Sequence, residues 1–132
     1  MATLLGFDYG TAKIGIAVGQ SITGTATPLI TLRAVRQHPD WQRIGDLILS
    51  WQPSALVVGL PCDIDGSETE LSGSAKRFAR RLEGRYHLPV HMIDERLTSM
   101  EARQRLRRQP KNFEELDAIA ASIILETWFA VC

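Results

Sequence analysis

The chain has 132 residues, 45% of them apolar and 23% charged, with fifteen basic side chains balanced by fifteen acidic ones. That length suits one domain, so residues 1–132 are expected to fold as a single unit, and the composition excludes a disordered chain. Cys62 and Cys132 form no disulfide framework or CxxC pattern, no secretory leader is read, and no apolar stretch reaches the roughly 18 residues of a spanning helix, so a cytoplasmic protein without a membrane partner is expected.

Thr3 to Asp8 is a short apolar run with a polar end. Tyr9-Gly10-Thr11-Ala12-Lys13 makes a glycine turn and Ile14 to Gly19 a second apolar run, which together predict a β-hairpin. The β-branched stretch 23–31 predicts a third strand, with Pro28 placing it at an edge or an irregularity. Trp41, Ile44, Leu47, Ile48 and Trp51 then recur at helical spacing behind Asp40 as N-cap, and Pro53 ends that helix. Ala55 to Leu60 is a continuous apolar run, the pattern of a buried parallel strand.

After the loop Pro61 to Ser67, a basic helix is expected from about Glu68 to Gly84, with Gly84 as its C-cap. Pro89 to Asp94 gives the fifth strand. Thr98 and Glu101 form a capping box that opens a short helix to about Arg108, stopped by Pro110. Asn112 caps the last helix, which carries Glu114 and Glu115 at its positive end and runs to about Val131. The order β-β-β-α-β-α-β-α-α implies an α/β protein, a mixed five-stranded sheet with helices on both faces.

Charge is unevenly distributed. Residues 76–85 hold Lys76, Arg77, Arg80, Arg81 and Arg85 against Glu83, and residues 103–111 hold five cations and no acid. Two basic arms beside an acidic cluster suit a protein that holds phosphates while ligating metal, although solvated helix faces give the same pattern.

Asp8 ends an apolar strand, and an unpaired carboxylate there is costly to bury. A divalent cation would satisfy it; closing the hairpin by bonding local amides is the alternative. Gly10 and Thr11 follow in a turn where backbone can approach a phosphate. Asp117 lies in a helix that is apolar nearly all round, so it must be ligated, paired or protonated, unless the positive helix end suffices for it. Asp94 and Glu95 follow the last strand on opposite faces, so one belongs to the site while the other pairs locally, with Arg96 as a candidate partner.

Three carboxylates of this kind match the hard oxygen ligands that Mg²⁺ or Mn²⁺ takes. Two ions about 3.5–4 Å apart would activate the attacking water and stabilise the leaving oxygen. His38, His87 and His91 lack zinc spacing, Ser99 and Ser122 lack triad companions, and Gly15 and Gly19 fit close packing better than nucleotide binding.

Four segments, in order along nearly the whole chain, resemble the YqgF (RuvX) family of RNase H-like proteins. They are Phe7-Asp8-Tyr9-Gly10-Thr11 with Lys13 to Ala17, Val57 to Pro61 with Asp65-Gly66-Ser67, Asp94 to Thr98, and Asp117 to Ala121 with Ile123 to Glu126. The resemblance implies an RNase H-like fold and a nuclease acting on structured nucleic acid. It implies either maturation of the 5′ end of pre-16S rRNA, with pre-ribosomal particles as partners, or Holliday junction resolution on branched DNA. By the same matching it selects Glu95 over Asp94, so that Asp8, Glu95 and Asp117 are expected to be catalytic and metal-binding, with Gly10, Thr11, Lys13 and Arg96 expected at the substrate. The chain departs from the family in a shortened stretch before Asp117 and in Asp63, which stands where Asn is frequent.

Two other classes compete. A similar Asp-x-Gly-Thr turn opens ATP-binding proteins of the actin, Hsp70 and sugar-kinase type, which need a second domain to close over the nucleotide. A non-catalytic RNA-binding module could use the two basic arms alone.

Overall fold

The computed structural model describes residues 2–98, 104 and 113–132. Strands β1 (Thr3–Tyr9) and β2 (Lys13–Gln20) form the expected hairpin, with Asp8 opposite Gly15 and Tyr9 opposite Ile14. β3 (Thr25–Arg33) pairs antiparallel with β2 at the sheet edge. It begins later than its composition suggests, because Thr23 and Gly24 belong to the preceding turn: the Gly24 N–H donates to the Gln20 carbonyl at 3.0 Å with Gly24 at φ 67°. Pro28 sits opposite Ala17, where the register shifts; an edge strand with an irregularity tolerates a residue that has no N–H.

β4 (Ala55–Leu60) lies parallel to β1, and β5 (Val90–Asp94) parallel to β4. The sheet order is β3-β2-β1-β4-β5. The carboxyl ends of β1, β4 and β5 therefore share one edge, where open sheets of this kind place their ligands.

Helix α1 (Trp41–Trp51) starts as expected, with the Asp40 side chain accepting the Arg43 N–H at 3.2 Å. α2 spans Glu70–Tyr86, displaced from the expected 68–84 at both ends. Its cap is Thr69: the Thr69 hydroxyl accepts the Ser72 N–H, and the Ser72 hydroxyl accepts the Thr69 N–H at 2.8 Å. Gly84 is not the C-cap. The helix continues through Tyr86, whose hydroxyl donates to the Trp41 carbonyl at 3.1 Å, and His87 closes it in the left-handed conformation with its N–H on the Glu83 carbonyl. Pro89 then forbids continuation by disfavouring helical backbone at Leu88.

Strand alternation divides the core in two. Leu5, Phe7, Ile14, Ile16, Leu56 and Val58 pack against Ile44 of α1 and Ala75, Phe78 and Leu82 of α2. On the opposite face Leu4, Ala17, Val57 and Ile93 pack against Ala121, Ile124 and Leu125 of α3 (Phe113–Val131). Helices thus cover both faces of a mixed sheet. The short helix expected between Thr98 and Arg108, the Asn112 cap and the basic stretch 103–111 lie outside the described residues, Thr98 and Gln104 excepted. No helix among the described residues is long and apolar enough to cross a membrane.

Candidate active site

The face of the sheet under α3 is lined with glycine. A β-carbon added to Gly6 would stand 2.5 Å from Leu125 Cγ, one at Gly19 2.8 Å from Phe129 Cε2, and one at Gly59 2.6 Å from Ile124 Cδ1. At Gly15 it would stand 1.9 Å from the Asp117 carbonyl oxygen. The sequence reading of Gly15 and Gly19 as packing residues holds, and its consequence is functional. Because these positions lack side chains, the helix backbone comes down onto the strands and carries Asp117 toward the end of β1.

Asp8 lies on that same face by strand alternation, after Leu4 and Gly6. Glu95 opens a 3₁₀ turn, Glu95–Leu97, directly after β5. Its side chain returns over Gly59, whose added β-carbon would be 3.2 Å from Glu95 Cδ.

Asp8 feels the charges of both other carboxylates. Burial, with the charges of Glu95 and then Asp117 adding to it, pushes Asp8 up to about 8. Burial also raises Glu95, with a contribution from Asp94. Asp117 is raised by burial and partly relieved by the charge of the Lys13 ammonium. This is a site that disfavours its own negative charge and would be stabilised by a cation.

The donors are all carboxylate oxygens, which suit a hard divalent cation. Among the described residues no three acidic, His or Cys side chains stand close enough together to hold a metal ion as they are placed. Asp8, Glu95 and Asp117 drawn together by a cation would fill part of a coordination shell and leave the remainder to water and substrate oxygens, as is usual for Mg²⁺.

Asp94 has a different role from Glu95. Its carboxylate caps the 3₁₀ turn by accepting the Arg96 N–H at 2.8 Å, and it takes Arg96 Nη2 at 2.6 Å and Nε at 3.0 Å. These bonds hold the Asp94 carboxyl below the usual carboxylate range. Arg96, expected at the substrate, thus turns its Nε and Nη2 donors to Asp94, with Nη1 reaching the Ile64 carbonyl at 3.5 Å. Asp63 is exposed in the loop after β4 and is not among the charges that raise Asp8 or Glu95.

Gly10 and Thr11 form the β1–β2 turn next to Asp8, tight enough that a β-carbon on Gly10 would lie 2.8 Å from the Lys13 carbonyl oxygen. The sequence reading overlooked Ser72. Wholly buried at the start of α2, it donates from its hydroxyl to the Pro61 carbonyl and so fastens that helix to the end of β4. The Thr69-x-x-Ser72 spacing was the available signal.

The model of the RuvX family, described as Holliday junction resolvase, matches residues 2–131. A protein of Azotobacter vinelandii named "Putative pre-16S rRNA nuclease" is 52% identical over 136 residues, covering 96% of this chain and 92% of its own. One of the same name from Methylococcus capsulatus is 52% identical over 135 residues, covering 98% and 89%. Among solved structures, T. thermophilus RuvC in complex with a Holliday junction substrate superposes with a TM-score of 0.63 at 17% identity, covering 97% of this chain and 94% of that one. The fowlpox virus resolvase bound to Holliday junction DNA gives 0.56 at 11%, covering 97% of each. At such identities the likeness is one of fold, and it is the RNase H-like fold of RuvC-type resolvases.

Proposed function

The chain belongs to the RuvX family, and on that premise we propose that it is a divalent-metal-dependent nuclease that hydrolyses phosphodiester bonds in maturing the 5′ end of pre-16S rRNA. The observation that carries the catalytic reading is the condition of Asp8: half-buried, raised to about 8 and near the charges of Glu95 and Asp117. Such a cluster is expensive in an empty structural role and useful in one that binds cations.

Asp8, Glu95 and Asp117 would hold Mg²⁺ or Mn²⁺, as two ions in the fullest form of the site. Bound there, the metal supplies Lewis acidity to the scissile phosphate and to the attacking water. The protein's own part is to orient. Gly15 and Gly59 let Asp117 and Glu95 approach the strand ends, and Lys13, whose charge eases that of Asp117, would meet a phosphate oxygen. The Gly10–Thr11 turn offers backbone that a phosphate can approach closely.

Branched DNA is the second reading, favoured by the description of the family and sharing the same chemistry. Half-identical relatives named for the rRNA activity put RNA first. The test offers labelled pre-16S rRNA fragments and a four-way DNA junction to the purified protein with Mg²⁺, Mn²⁺ or EDTA. Metal-dependent cutting of the RNA that disappears in Asp8→Asn and Asp117→Asn supports the proposal. Preferential cutting of the junction selects the second reading, and binding of either without cutting by the wild-type chain would point to a non-catalytic RNA-binding module.

A further inference from the structure

Ile64 is 98% exposed, more than any other large apolar side chain described as exposed. It stands at the apex of a turn fastened on several sides. The Asp63 N–H donates to the Ser67 carbonyl at 3.0 Å, and the Gly66 N–H donates to the Asp63 carbonyl at 2.8 Å. The Ser67 N–H and hydroxyl both donate to Asp65 Oδ1, at 2.9 and 2.6 Å. Cys62 bridges to Glu68 across the base of the turn. Gly66, at φ 90°, lies against the Arg96 guanidinium, where an added β-carbon would be 3.0 Å from Nη1.

A loose loop could fold an isoleucine down onto its neighbours. This one holds a β-branched side chain, stiff at χ1, out in water, at the cost of leaving its apolar surface exposed. The position matters as much as the exposure. The loop leaves β4 at Leu60, which pairs with Asp94, and Glu95 is the next residue. Arg96 links Asp94 to the Ile64 carbonyl, so the apex is tied to the strand end that presents Glu95. Leu97, 55% exposed, follows Arg96 and adds a second apolar side chain nearby.

We propose that Ile64 is a wedge that packs against a base unstacked from the nucleic acid beside the scissile phosphate, with Arg96 as the positioning residue that fixes the turn. The proposal rests on the nucleic-acid substrate inferred above. Isoleucine is among the side chains that nucleic-acid-binding proteins insert between base steps, and the partial unstacking that results bends the strand. An aliphatic wedge carries no hydrogen-bonding groups, so it senses how easily a step opens rather than which base is present. It therefore selects for a distorted structure, such as the boundary between duplex and single strand.

The test uses fluorescence of 2-aminopurine, placed at successive positions across the mature 5′ boundary in pre-16S rRNA fragments and around the branch of a DNA junction. The full chain carries Asp8→Asn, so that binding is read without cutting. With Ile64, and equally with Ile64→Met, the signal should rise several-fold at one or two adjacent positions. With Ile64→Gln that rise should vanish while affinity falls by up to about tenfold, the scale of one partly buried aliphatic side chain returned to water. Ile64→Gln is not expected to disturb folding, because the side chain is already in water.

An unchanged signal in Ile64→Gln, no rise at any position, or no binding to either nucleic acid would overturn the wedge. The catalytic reading is decided separately, by cleavage with Asp8 intact. If that protein cuts nothing while the Ile64-dependent rise persists, the wedge stands and the nuclease fails. If Ile64→Gln cuts at the wild-type rate with unchanged unstacking, the nuclease stands and the wedge fails.

Discussion

The backbone of Asp117 occupies the space that a side chain on Gly15 would need: an added β-carbon would lie 1.9 Å from the Asp117 carbonyl oxygen and 2.7 Å from the Ala118 nitrogen. Gly15 is also the residue opposite Asp8 in the hairpin. One glycine therefore sets the separation between two of the three carboxylates. Gly15→Ala must push α3 off the sheet, since the obstruction is backbone rather than the end of a flexible side chain. The expected result is a loss of about 1–3 kcal/mol in urea unfolding together with loss of cleavage. A variant with unchanged unfolding midpoint and activity would contradict this packing.

Gly84 gives the opposite expectation. It lies inside α2, and nothing stands within 4 Å of where its β-carbon would be. Gly84→Ala should therefore stabilise the protein by roughly 0.5–1 kcal/mol, the helix-interior difference between the two residues. Thermal unfolding would read this as a higher Tm. A lower Tm would return Gly84 to the left-handed cap that the sequence suggested.

Stability of the metal-free protein should fall as pH rises from 5 to 8. Asp8 stays protonated in the folded chain until about pH 8, whereas in the unfolded chain it ionises near the ordinary aspartate value of 3.8. Between those limits the folded state binds more protons, so each rise in pH favours unfolding; the slope disappears above the folded value. Glu95 and Asp117 are raised as well and act in the same direction. The change is on the order of a few kcal/mol, given about 1.4 kcal/mol per pKa unit. Denaturant titrations at pH 5 and pH 8 in EDTA would show it, and Asp8→Asn should flatten the difference. A wild-type protein equally stable at both values would mean that Asp8 is not held protonated.

Metal binding should displace that proton. At pH 7 Asp8 is mostly protonated before a cation arrives, so uptake of Mn²⁺ should release about one proton and tighten as pH approaches 8. Calorimetry in two buffers of different ionisation enthalpy measures the release directly. Asp8→Asn should weaken binding and abolish the proton release. Binding of equal strength at pH 6 and pH 8 would remove Asp8 from the ligand set.

The salt link beside the site should be less consequential for folding than its short distances suggest. Asp94 and Arg96 are partly solvent-exposed, and exposed ion pairs contribute about 0–1 kcal/mol. Arg96→Ala should therefore leave the unfolding midpoint almost unchanged while hydrogen exchange accelerates at Gly66 and Ser67, where the turn loses its support. Unchanged exchange there would show that the turn holds its shape without Arg96.

Local sequence determined the elements and the identity of the acids. Alternation from Thr3 to Tyr9 marked the strand and set Asp8 opposite Phe7 in facing, and the apolar run Ala55 to Leu60 had the length and β-branched content of a buried parallel strand. An aspartate in the otherwise apolar helix around Asp117 was conspicuous because burying an unpartnered charge is costly. Element ends were less legible. Helix α2 outruns Gly84 because Tyr86 finds a partner 45 residues away at Trp41, a contact with no local signature.

Tertiary structure alone decided how the acids meet and which neighbours they have. Glu95 and Asp94 are adjacent in sequence and chemically alike, yet one turns back over Gly59 while the other is taken by Arg96. Glycines spread from Gly6 to Gly59 become a single surface only once three strands are aligned, and only then can α3 descend and bring Asp117 toward Asp8. The physical reason is range. Strand period, helix period and caps act over a few residues, whereas desolvation and the repulsion among three carboxylates depend on atoms that the chain brings together from positions 8, 95 and 117.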